Sequence, residues 1–230
     1  MNPETPAVEP KRPAAYPVQV RGDLDESLSR WLWLVKWILA IPHYLILILL
    51  WIGYLLLTIV AFFAILITGK YPRSIFDINV GIMRWSWRVL FYSYNALGTD
   101  RYPPFSLQPD DNYPADLSVE YPEQLSRGLV LVKWWLLAIP QYLIVWAMTA
   151  GSGGYGMDGE YAAPYMPALL DILVLIAAVA LLFTAKYPRG LFDFVMGVNR
   201  WSYRVFAYAS LMRDEYPPFR LDQGAREPAL

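Results

Sequence analysis

Cysteine is absent from the 230 residues, histidine occurs once, as His43, and charged side chains make up only 17% of the chain. Without cysteine there is no disulfide, no thiolate metal site and no cysteine nucleophile. A single histidine makes a His-based metal centre within one chain an unattractive expectation. Glycine-rich phosphate loops and nucleophile–base pairs are also missing, so no cofactor is expected and the chain reads as non-enzymatic. The charged fraction falls below the ~25% of ordinary soluble domains. A net charge of −1 gives no general attraction to nucleic acid. Residues 1–30 lack the apolar core of a signal peptide, so the first spanning helix is expected to be its own insertion signal.

What is abundant is apolar and aromatic. From Trp31 to Thr68 the only ionisable side chains besides tyrosine are Lys36 and His43. A run far above ~18 apolar residues reads as membrane-spanning. Much of it returns later. Leu34-Val35-Lys36-Trp37 reappears as Leu131-Val132-Lys133-Trp134, and Ala40-Ile41-Pro42 as Ala138-Ile139-Pro140. The chain is therefore a duplication. The expected boundaries are a disordered tail at 1–15, repeat 1 at 16–107, a linker at 108–112, repeat 2 at 113–221 and a C-terminal tail at 222–230. Tyr16-Pro17 and Tyr113-Pro114 open the two repeats.

After Pro140 only about ten apolar residues precede Gly151-Ser152-Gly153-Gly154, too few to span a bilayer. The second repeat is thus expected to hold helices at about 129–149 and 168–185, with a flexible loop from Gly151 to Pro167. By analogy residues 31–68 are expected to form a helical hairpin turning near Trp51–Tyr54. The competing possibility is one long tilted helix from about 43 to 68, with 24–41 on the membrane surface. Lys36 is expected to snorkel to the headgroups.

Each hairpin is followed by the clearest signature. Thr68-Gly-Lys-Tyr-Pro-Arg-Ser-Ile-Phe-Asp77 matches Thr184-Ala-Lys-Tyr-Pro-Arg-Gly-Leu-Phe-Asp193 at an offset of 116. Ser74 and Gly190 are acceptable N-caps, with Asp77 and Asp193 placed for capping or ion pairing. On the following helices, about 75–96 and 191–212, Asp77, Gly81, Arg84 and Arg88 form one stripe. Asp193, Gly197, Arg200 and Arg204 repeat it. An interfacial placement is expected, because two arginines inside a bilayer are costly on insertion scales. A third crossing per repeat is the alternative, giving six crossings and inverted repeats. Positive-inside counting puts both termini and both charged helices in the cytoplasm, with the acidic loop outside.

The fold class expected is all-α: an integral membrane protein of two parallel repeats, each a transmembrane hairpin plus an interfacial amphipathic helix, with four crossings of the cell membrane. The duplicated Lys-Tyr-Pro-Arg-x-x-Phe-Asp, the Arg-Trp-x-x-Arg helix and the closing Tyr-Pro-Pro-Phe (102–105 and 216–219) resemble the prokaryotic domain of unknown function 4389 family. That resemblance implies a membrane location and a duplication, and assigns no substrate.

The expected function is an accessory or scaffold protein engaging anionic lipid headgroups or a partner at the cytoplasmic face. Its candidate headgroup or anion site is Lys70, Arg73, Arg84 and Arg88 with Lys186, Arg189, Arg200 and Arg204, aided by helix N-termini. Expected partners are membrane lipids and a membrane protein or a second copy of the chain, not nucleic acid. The alternative is a transporter or channel subunit with a path between the repeats. His43, replaced by Gln141 in the second repeat, is expected to be a polar group in a helix–helix contact.

Overall fold

A computed structural model describes residues 16–151 and 166–226. The tails 1–15 and 227–230 and most of the Gly151–Pro167 loop, expected to be flexible and extracytoplasmic, lie outside the described residues.

The elements run β1 (Val18–Gly22), α1 (Lys36–Thr68), α2 (Arg73–Tyr92), β2 (Ala115–Val119), α3 (Leu129–Val132), a π-helical turn at Lys133–Leu137, α4 (Ile139–Thr149), α5 (Leu169–Thr184) and α6 (Arg189–Ala209). The molecule is mostly helical. The all-α expectation missed both strands. Tyr16-Pro17 and Tyr113-Pro114 immediately precede these strands. Both strands alternate inward Val18, Val20, Ala115, Leu117 and Val119 with more exposed Gln19, Arg21, Asp116 and Ser118. That period of two is the mark of a half-buried strand.

Three layers follow. The sheet lies on one face of α2, over Arg84, Trp87 and Arg88, whose side chains bond to strand carbonyls. The opposite face of α2 carries Asn79, Met83 and Ser86, and its C-cap is Ser93; these meet Thr58, Tyr54, Trp51 and Tyr44 of α1 in turn. As one number rises the other falls, so α1 and α2 are antiparallel. Everything from Asn79 to Val89 is buried, and the matching part of α6 is buried save for Ser202. These helices form the middle layer. The expected interfacial placement of 75–96 and 191–212 is therefore overturned.

Residues 31–68 do not form a hairpin. α1 is one helix of 33 residues, about 50 Å long. Gly53 costs a helix only ~1 kcal/mol, less than opening a turn of buried-side hydrogen bonds. Pro42 is accommodated, and the Tyr102 hydroxyl donates to the Leu39 carbonyl beside it. Repeat 2 contains the same helix interrupted. α4 and α5 both pack on α6, as α1 packs on α2. At an offset of 116 the buried Tyr54, Ala61 and Ile65 of α1 correspond to Leu170, Ala177 and Leu181 of α5, also buried. The loop between Thr149 and Leu169 is thus an insertion into one long helix, which repeat 1 lacks.

The repeats are related by a local twofold symmetry. Val20 pairs with Leu117, its own counterpart at an offset of 97. Trp87 meets Tyr203, its counterpart at an offset of 116, edge to face with centroids 5.5 Å apart. A pseudo-twofold axis runs through both pairs. It reverses the direction of α2 in α6, so it lies across the helices and passes level with the middle of α1. Accordingly the end of α1 meets the start of repeat 2, where Leu125 N–H donates to Gly69 O at 2.8 Å.

The outer layer has a consistent polarity. Leu45, Leu49, Ile52, Leu56, Ile59, Phe63 and Ile67 form one exposed stripe of α1, opposite the buried stripe of Lys36, Ala40, His43, Leu47, Tyr54, Ala61 and Ile65. α1 is long and apolar enough to cross a membrane, and α3 to α4 joins as a bent pair. An apolar surface this large is unusual for a protein facing water on all sides.

Candidate functional site: the duplicated basic stripe

The sequence grouped eight basic residues. The structure separates them into a buried four and an exposed four.

Arg84, Arg88, Arg200 and Arg204 are at most 8% exposed. Arg84 Nε donates to Leu117 O and its Nη1 to Leu107 O, both at 2.9 Å. Arg88 donates to Gln108 O at 2.9 Å and pairs with Asp116 at 3.0 Å, while Arg84 approaches the same carboxylate at 3.1 Å. In the other half Arg200 Nη2 donates to Val20 O at 2.9 Å and to Gly224 O at 3.0 Å. Arg204 pairs with Asp222 at 2.6 Å and lies over the Tyr16 ring. Each arginine stripe thus reaches across the axis to the strand of the other repeat. A planar guanidinium with five donors fits this position because it satisfies carbonyls that the two-stranded sheet and its flanking segments leave free. Burial outweighs Asp116 and draws Arg84 below its usual pKa. These four are structural, and the headgroup role expected for them is corrected. The expected C-terminal tail is part of this cradle as far as residue 226, since Gly22 N–H donates to Ala225 O at 2.9 Å.

Lys70, Arg73, Lys186 and Arg189 are exposed. They mark two corners, between α1 and α2 and between α5 and α6. The Thr68 and Thr184 hydroxyls accept from the Lys70 and Lys186 N–H groups at 3.1 and 3.2 Å, and give both corners the same turn. Gly69 and Ala185 take left-handed φ of 72° and 57° there. Pro72 and Pro188 are the N-caps, so Ser74 and Gly190 fall inside the first turn. Asp77 pairs with Arg73 at 3.3 Å, while Asp193 makes no side-chain cap or ion pair among the described residues.

The two buried Lys–Asp pairs have no counterpart among the sequence-based expectations. Lys36 does not snorkel: it pairs with Asp100 at 2.9 Å and donates to Thr99 O at 2.7 Å. Lys133 pairs with Asp214 at 2.7 Å. The signal was an aspartate two residues before each Tyr-Pro-Pro-Phe. His43 Nδ1 accepts from Trp85 Nε1 at 3.1 Å, and Gln141 Oε1 from Trp201 at 2.7 Å. His43 is thus the helix-contact residue expected.

The duplicated signature, cradle and closing Tyr-Pro-Pro-Phe coincide with a known family. A family model described as a domain of unknown function (DUF4389) matches residues 30–106 and 166–220, more than half of the chain. The chain belongs to the DUF4389 family. Its second match begins where the insertion ends, and covers α5, α6 and the closing segment. No curated protein and no solved structure matches the chain. The DUF4389 signature residues thus divide by role: Arg-Trp-x-x-Arg locks the repeats together, and Lys-Tyr-Pro-Arg presents positive charge outside.

Proposed function

We propose that this DUF4389 protein is a non-enzymatic accessory or scaffold protein, seated in the cytoplasmic leaflet of the cell membrane and engaging anionic headgroups through its two basic corners. The observation that carries it is the outward stripe of α1, wholly apolar over seven exposed positions, ending at the exposed Lys70 and Arg73.

The long helices are proposed to lie along the membrane plane. A 50 Å helix standing in a ~30 Å core would have to tilt beyond the usual ~40°. The pseudo-twofold axis also places the sheet level with the middle of α1. In a spanning orientation Arg21, Asp23, Asp111 and Arg226, all at least partly exposed, would sit near mid-bilayer. Each charge there costs about 2.5–3.5 kcal/mol. Lying flat, the apolar layer sinks into the leaflet, the polar sheet faces water, and both basic corners reach headgroups of the same leaflet. Tyr16 and Arg226 lie beside the sheet, so in this seating both ends of the described residues face the cytoplasm. This seating replaces the four crossings expected from the sequence.

A transporter or channel would need a polar path between the repeats, and the axis is filled by Trp87 and Tyr203. Flotation with vesicles tests the function. The protein should float with vesicles containing phosphatidylglycerol more strongly than with pure phosphatidylcholine, and conduct no ions in liposomes. Ion flux, or equal flotation with both vesicles, would overturn it.

A further inference from the structure

A cavity of about 600 Å³ opens on the apolar layer between α1, the C-terminal end of α6 and the start of repeat 2. Its wall includes Trp51, Thr58, Phe62, Trp134, Phe206 and Ser210. The few hydroxyls are already used locally: Thr58 donates to Tyr54 O, Ser210 to Phe206 O, and Tyr142 to Trp134 O. The space is therefore lined mainly by apolar and aromatic groups, and these hydroxyl protons are already engaged.

The pseudo-twofold axis supplies a control within the molecule. The equivalent place in the other half, bounded by Trp33, Tyr94, Asp171, Val174 and Ala178, holds only about 210 Å³. Val174 and Ala178 are the counterparts of Thr58 and Phe62. Tyr94 is the counterpart of Ser210, and its hydroxyl donates to Trp33 O at 2.7 Å, closing that side. One of two equivalent spaces is narrowed by a tyrosine and the other is left open.

We infer that the open cavity binds one lipid acyl chain. Leu55, Ile59 and Phe63 belong to both its wall and the exposed apolar face, so a chain reaches it sideways from the leaflet without crossing water. The volume lies within the ~300–1,000 Å³ of small-molecule sites, and the walls are apolar and aromatic as such sites are. The inference rests on the proposed membrane seating.

The test uses the full chain in lipid nanodiscs with a diazirine-bearing fatty acid, competed by oleic acid, and peptide mapping of the label. Label on Tyr54, Thr58, Phe62 and residues 206–211 should saturate and be competed away, while label on Leu45, Leu49 and Ile67 of the outer stripe should not saturate. Ser210→Tyr, copying Tyr94, should reduce the saturable label at least tenfold. Ile59→Trp, which narrows the mouth from another element, should reduce it too, and equal helical content by circular dichroism shows each variant folded. Saturable label that persists in both folded variants, or no saturable label at all, overturns the acyl-chain site. Failure to enter nanodiscs overturns the seating instead.

Discussion

Val20 and Leu117 face each other across the sheet, and each carbonyl receives an arginine from the opposite repeat: Arg200 on Val20 and Arg84 on Leu117. Neither repeat can satisfy its own strand. The duplication is therefore one folding unit, with the cradle as its lock.

Removing one lock should be severe. In Arg88→Ala the Asp116 carboxylate loses one of its two arginines, and Gln108 O loses its donor. Breaking a buried pair from one side costs about 3–5 kcal/mol. Thermal unfolding in detergent should show a large loss, and Asp116→Asn in the same chain should recover part of it. A neutral Arg88→Ala would remove the structural role assigned to the stripe.

The two corners offer a backbone test. Ala185 adopts the left-handed conformation that Gly69 adopts in repeat 1. A non-glycine residue there costs roughly 1–2 kcal/mol. Ala185→Gly should therefore stabilise, and Gly69→Ala should destabilise, each by about 1 kcal/mol in chemical denaturation.

Charge at the corners should govern lipid choice. Replacing Lys70, Arg73, Lys186 and Arg189 with Gln removes four exposed cations, each worth ~1 kcal/mol near an anionic surface. Binding to phosphatidylglycerol vesicles should fall at least about tenfold at low salt, and the difference should shrink at high salt. Unchanged binding would remove the headgroup role.

The duplication, the helical content and the basic signatures were legible in the sequence because they repeat side chains at fixed offsets. The strands were not. Five residues with Gly, Gln, Arg and Asp among them carry little apolar signal, and their pairing joins segments almost a hundred residues apart. The buried arginines were misassigned for the same reason: the carbonyls that hold them belong to backbone invisible in sequence. The insertion after Thr149 made an interrupted helix resemble a hairpin, and that pattern was carried back to α1. One small signal was readable. The offset grows from 97 at Lys133 to 98 at Ala138, and the extra residue is absorbed by the π-helical turn at Lys133–Leu137.

Spin-label depth along α1 tests the membrane seating most directly. With no native cysteine, single substitutions at Leu45, Leu49, Ile52, Leu56, Ile59, Phe63 and Ile67 can be labelled one at a time in vesicles. Collision with oxygen and with a water-soluble nickel chelate then gives the depth of each. A helix lying in the leaflet should give one shallow depth for all seven positions. A profile that deepens to the bilayer centre and emerges on the far side, moving up to ~1.5 Å per residue, would show that α1 spans and would contradict the in-plane seating.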